Sequence, residues 1–144
     1  SIAPTRVTPT ATPTSLAPQV ALEGMAFAVE LAVTPQERAL GLMGRPSLEH
    51  SQGMLFIYEA DAMPGFWMRG MLIPLDIVWI DAEGVVAGVI ANIPVPPEGG
   101  QPPLYYPPRP IRYVLEINAG MAKDAGIGTG SRSTFLGIPL AGGN

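Results

Sequence analysis

Hydrophobic positions in this chain recur mainly with a period of two, in short runs cut by glycine and proline. In residues 25–33 (MAFAVELAV), Met25, Phe27, Val29, Leu31 and Val33 alternate with small or polar residues, as in a strand with one buried face. Residues 53–58 (GMLFIY) are apolar throughout, which predicts a strand covered on both faces. Residues 66–69 and 75–80 predict two more strands. A hairpin over 77–91 turns at Asp81-Ala82-Glu83-Gly84, 112–117 (RYVLEI) is another strand and 131–136 a last one. Helical signals occur twice. Thr34-Pro35-Gln36-Glu37 is a capping box with proline at the first helical position, and Ala39, Leu40 and Met43 form an apolar stripe before Gly44, predicting a helix over about 35–43. Asn118 stands as the cap of a second short helix, about 119–125, closed by Gly126, with Ile127 folding back over Met121 or Ala122. The fold class is mostly β, a compact antiparallel β-sandwich or barrel-like domain with two short helices.

This single domain spans 24–136, with a flexible tail at 137–144. Residues 1–23 read as a disordered stalk, because Ala3 to Pro18 is almost wholly Thr, Pro, Ala and Ser and buries too little apolar surface to offset ordering entropy. Such stalks follow a secretion signal or lipid anchor, and the sequence does not begin with methionine. The expectation is an exported, extracytoplasmic protein whose signal peptide has been removed, secreted or tethered to the cell envelope and at most peripheral to the membrane. A proline-rich linker at 94–110, eight of whose seventeen residues are proline, carries Leu104, Tyr105 and Tyr106 at its centre. It either docks on the domain at a sheet edge or forms an aromatic flap over a ligand.

Composition removes several function classes. A net charge of −4, one lysine and scattered arginines give no footprint for nucleic acid. Without cysteine there is no disulfide, thiolate metal site or thiol nucleophile. No ligand-spaced cluster, phosphate loop or Ser-His-Asp arrangement is present, so neither a metal nor a cofactor is expected, and the lone His50 reads as a surface residue.

The informative residues are charges on apolar faces. Alternation through 75–80 puts Asp76 with Val78 and Ile80, opposite Leu75, Ile77 and Trp79, while Glu116 shares a face with Arg112 and Val114. Each carboxylate is either a tether held by arginine (Arg69, Arg45 or Arg112) or by backbone amides, or the two form an acid–base pair in a cleft walled by Trp67 and Tyr113. Phe66 and Met68 face one way and Trp67 and Arg69 the other, so Trp67 either stacks a sugar or proline ring or packs beneath the proline-rich segment.

The order of ERALGLMGR (37–45), GMLFIY (53–58), FWMRGMLIPLDIVWID (66–81) and YVLEINAG (113–120) resembles the domain-of-unknown-function family 192, DUF192, across residues 26–136. The resemblance implies a compact, mostly β bacterial or archaeal domain, often exported, with no established reaction to carry over. Its signature positions fall on Arg38, Gly41, Leu42, Met43, Arg45, Phe66, Trp67, Met68, Pro74, Leu75, Asp76, Glu116 and Gly120. Where the family commonly has Gly-Asp before its last strand, this chain has Gly130-Ser131. The functional expectation is a monomeric binding module for a small polar or glycan-like envelope ligand. Its site would comprise Arg45, Trp67, Arg69, Asp76, Tyr105, Tyr106 and Glu116, partly covered by Leu104 to Tyr106. The alternatives are a hydrolase with Asp76 and Glu116 as catalytic carboxylates, and an accessory envelope protein that meets a protein partner through an apolar surface.

Overall fold

The computed structural model describes residues 17–138. Seven strands and two helices follow in the order β1 (Gln19–Leu22), β2 (Met25–Ala32), α1 (Pro35–Leu40), β3 (Gln52–Ala62), β4 (Leu75–Ile80), β5 (Val86–Ile93), β6 (Ile111–Asn118), α2 (Met121–Ala125) and β7 (Ser133–Leu136). They form one sheet in the order β5-β4-β6-β3-β2-β1-β7. The sheet curls until its ends approach: Val85 bridges Arg132, and the Val86 amide donates to the Ser131 carbonyl at 2.8 Å. The barrel-like expectation therefore holds, with a single curled sheet rather than a two-sheet sandwich.

Two details of the expected architecture change. All pairings are antiparallel except β2 with β3, which run parallel. The connection through α1 returns the chain to the end from which β2 began, so β3 must run alongside it. The domain also starts earlier than residue 24, because Gln19–Leu22, assigned to the stalk, forms β1 between β2 and β7, with Val20 and Leu22 fully buried. The remainder of the stalk, residues 1–16, and residues 139–144 of the tail lie outside the described residues.

Curling gives the sheet an inner and an outer face, each with its own core. Phe27, Leu55, Val78, Ile80 and Leu115 pack inside, closed at one end by Met121 and Ala122 of α2. Phe56, Ile77, Trp79 and Val114 pack outside, beneath Leu42, Met68 and Met71 from the connecting segments. This double coverage explains why 53–58 and 75–80 lack polar alternation. On β2 the expected one-sided alternation holds as far as Leu31, after which Ala32 is buried outside and Val33 is exposed.

Helix α1 is shorter than predicted. Its capping box is complete: Thr34 Oγ1 accepts from the Glu37 amide at 3.1 Å, and Glu37 Oε1 accepts from the Thr34 amide at 3.0 Å. The helix nevertheless stops at Leu40, because Gly41 leaves helical geometry and the chain beyond it buries Leu42 in the outer core. Thr34→Ala is expected to lower stability by about 1 kcal/mol, read as a reduced urea midpoint at unchanged slope.

Residues 66–69 form no strand, only a bridge in which Phe66 and Tyr105 exchange backbone hydrogen bonds of 2.8 and 2.7 Å. The Met71 amide turns back to the Met68 carbonyl, so no ladder can extend. The expected division of side chains survives: Met68 is buried and Trp67 exposed. The proline-rich segment docks on the domain. Besides the Tyr105 bridge, Pro108 lies over Gly88 and Arg109 donates to Asp81 at 2.9 Å. Asp81 also accepts from the amides of Glu83 and Val85, which fixes the predicted 81–84 turn.

Candidate functional site

The sheet register decides the fate of the two carboxylates. β4 and β6 pair antiparallel with Ile77 opposite Glu116 and Asp76 opposite Ile117. Residues directly opposite share a face, so Glu116 points outward with Ile77 and Val114, and Asp76 points inward with Ile117. Asp76 and Glu116 therefore share no cleft, and the acid–base pair expected of a hydrolase is not formed.

Asp76 is wholly buried and its partners are backbone amides rather than an arginine. Its carboxylate accepts from Asn92 at 2.8 Å, Gly120 at 3.1 Å and Ala122 at 2.9 Å. Gly120, at φ +93°, turns its amide toward the carboxylate. Asp76 thus ties the start of α2 and the end of β5 to β4, which is the tether reading. Asn118, the expected cap, donates instead to the Leu48 carbonyl, and α2 begins after Gly120.

Glu116 opens onto a cavity of about 250 Å³ on the outer face. Its roof is made by residues 38–43 and 65–71, which the Gly44 amide joins through a 3.0 Å bond to the Gly70 carbonyl. Gly70 has φ +74°, and a Cβ there would stand 2.5 Å from Met43 Cγ, so the two segments meet this closely only around a glycine. Buried Phe56 and Glu116 lie at the floor with half-buried Tyr58, and exposed Leu40, Met43 and Trp67 surround the mouth.

The charges are unevenly matched. Arg38 donates to the carbonyls of Val33 and Ile57, and its guanidinium lies 4.5 Å from the centre of the Tyr58 ring. Arg69 lies 5.2 Å from the centre of the Trp67 ring. Among the described residues Arg45, Arg109 and Arg112 pair with Glu30, Asp81 and Asp61, whereas Arg38 and Arg69 pair with no carboxylate. Glu116 is only 4% exposed, and burial, unrelieved by any hydrogen bond or cation, pushes its pKa up to about 8. It is a neutral carboxylic acid at pH 7, able to donate one hydrogen bond and accept others. Burial also raises the Tyr58 hydroxyl above its ordinary value, with Arg38 opposing and Glu116 reinforcing the shift.

Of the expected ligand-binding residues, the cavity brings together Trp67, Arg69 and Glu116. Arg45 is turned away onto Glu30, 2.6 Å from Nη2 to Oε1, and each side chain holds the other in its charged form. Asp76 lies on the other side of the sheet. Tyr105 and Tyr106 back the roof instead of covering the cavity: Tyr105 pairs with Phe66 through its backbone, and the Tyr106 ring packs so closely on Gly65 that a Cβ there would be 2.9 Å away. Arg38, Leu40, Met43 and Tyr58 complete the site without having been singled out as ligand contacts. Arg38 and Met43 were nonetheless among the signature positions, a signal that could have found them.

His50 is exposed on the turn before β3, and among the described residues no group of three His, Asp or Glu side chains could hold a metal ion. At the departure from the family pattern, Ser131 Oγ donates to Glu23 at 2.7 Å and accepts from the Gly128 amide, a turn contact away from the cavity.

Two solved structures share the fold. A protein of unknown function from Novosphingobium aromaticivorans is 35% identical, with a TM-score of 0.74 over 81% of this chain and 83% of its own. A proposed transcription regulator from Sinorhizobium meliloti is 32% identical, also with a TM-score of 0.74, over 88% of this chain and 100% of its own. Among curated proteins no sequence matches. Residues 18–135 match the sequence profile of DUF192 (Uncharacterized ACR, COG1430), and the chain belongs to that family.

Proposed function

We propose that the protein is a non-catalytic binding module that takes a small polar, glycan-like ring in the cavity between residues 38–43 and 65–71. The observation that carries this reading is the pairing of an exposed aromatic face, Trp67, with a nearly buried carboxyl group, Glu116, that has no hydrogen-bond partner among the described residues, in one concave site. Ring faces stack on indole, and a buried polar group without a protein partner gains most from a ligand that supplies one. Seven of the thirteen signature positions (Arg38, Gly41, Leu42, Met43, Phe66, Trp67 and Glu116) line the same cavity, which further supports it.

The module acts as a monomer in an extracytoplasmic setting. The Thr/Pro-rich composition of residues 3–18 supports that location, and no helix among the described residues is long and apolar enough to cross a membrane. The regulator role that the description of the Sinorhizobium meliloti protein suggests for it gains no support from the composition here, with a net charge of −4. A second reading, an accessory protein that docks a protein partner, is favoured only by exposed Leu40, Met43, Trp67 and Leu72.

Titration of the full chain with methyl glucoside, methyl N-acetylglucosaminide and methyl glucuronide, with affinities measured by calorimetry and the wild-type indole N–H resonances followed alongside, tests the first reading. At least one glycoside is expected to shift the Trp67 signal, with affinity reduced about tenfold in Trp67→Ala and unchanged in Arg45→Ala. Equal affinities in the wild type and Trp67→Ala would remove the cavity as the site.

A further inference from the structure

We infer that the ligand of this cavity is an anionic ring bearing a single carboxylate, of the uronic-acid class, with the carboxylate held by Arg69, the ring face by Trp67 and a ring oxygen by Glu116. The inference rests on the binding-module reading and specifies its substrate class.

Charge is the first argument. The chain as a whole carries −4, yet the side chains lining this cavity include two arginines without carboxylate partners among the described residues and one carboxyl group that is uncharged at neutral pH. Two acids on neighbouring strands are already paired, Glu30 on β2 with Arg45 and Asp61 on β3 with Arg112. The charged side chains that line the cavity are therefore both cationic on an acidic protein, which favours an anion over a cation.

The second argument is how many cationic contacts remain free. Arg38 is committed to two backbone carbonyls and to the face of Tyr58. Among the described residues Arg69 stacks on Trp67 and makes no ion pair or side-chain hydrogen bond, so its planar fork is exposed beside that ring. One free guanidinium matches one planar carboxylate in two parallel hydrogen bonds, whereas a phosphate group calls for more donors than this site leaves unspent.

The third argument is depth. A wholly apolar acid would leave Glu116 without a partner on the cavity floor. A hydroxylated ring brings oxygen atoms that accept from its O–H or donate to its carbonyl oxygen. Leu40 and Met43 at the rim offer apolar surface to the ring.

The test compares methyl glucuronide, methyl glucoside and methyl glucosaminide, which share one ring and differ in charge, by calorimetric titration of the full chain at low salt. The glucuronide is expected to bind about tenfold more tightly than the glucoside, the value of one charge-assisted contact, with the cationic glucosaminide weakest. Arg69→Gln, a change at an exposed position, should reduce that preference to near unity, and Arg45→Gln should preserve it. Raising the ionic strength should shrink the preference as well. If glucoside and glucuronide bind equally, or if Arg69→Gln keeps the preference, the anionic class is wrong while the binding module stands. If none of the three binds, both fall.

Discussion

Asp76→Ala is expected to destabilise the domain by about 4 kcal/mol, a large fraction of the roughly 5–15 kcal/mol that holds a domain of this size together. The carboxylate is fully buried and accepts from three amides on two other elements, Asn92 after the bend of β5 and Gly120 and Ala122 at the start of α2. Alanine leaves all three donors without this acceptor, the Ala122 amide among them buried, and α2 loses its hold over the inner core, where Met121 and Ala122 close the curled sheet. Asp76→Asn keeps the shape and one acceptor oxygen, so its loss should be about half as large. Urea denaturation at pH 7 measures both. A loss below about 1 kcal/mol for the alanine variant would mean that water replaces the carboxylate and that the tether is not what fixes α2. Because Asp76 faces away from the cavity, Asp76→Asn should leave any glycoside affinity there unchanged, which separates a structural residue from a ligand contact.

That separation marks where the sequence stopped being legible. Within a strand the period of two is reliable, and residues 75–80 divide between the two cores as their alternation predicts, Asp76 included. The relation between two strands is another matter. Whether Asp76 and Glu116 share a face depends on the β4–β6 register, and a shift of one residue would reverse the answer. Loops were harder still. FWMR carries the aromatic and alternating signature of a strand, but Pro64 and Gly65 before it and Gly70 after it leave room for only one bridge, to Tyr105. Arg45, the expected ligand contact, and Arg38, a signature position only, stand seven residues apart. Glu30, on a strand whose position beside Arg45 no local pattern reveals, draws Arg45 away, while the short turn of α1 leaves Arg38 beside Tyr58. The composition of the proline-rich segment suits a docked or an open course alike, and what settles it is tertiary: the bare surfaces of Gly65 and Gly88 receive Tyr106 and Pro108.

Glu116→Gln should stabilise the protein at neutral and alkaline pH, by about 3 kcal/mol at pH 7 and somewhat more above pH 8. Burial raises the folded-state pKa of Glu116 to about 8, from 4.5. Between these values the unfolded chain releases a proton that the folded protein keeps, so each step up in pH favours unfolding. The contribution of the group is fully present below about pH 4.5 and is lost as pH rises through about 8. Glutamine fills the same space, hydrogen-bonds as the neutral acid does and carries no proton to lose. The melting temperatures of the two proteins should coincide near pH 4 and separate by roughly 10 °C by pH 8, with the variant higher. Parallel curves across that range would mean that Glu116 ionises as freely in the folded protein as in the unfolded chain, reached by water through the cavity. An acid kept at such a cost, on the floor of a cavity where glutamine would serve the fold better, fits a residue retained for what it binds rather than for stability.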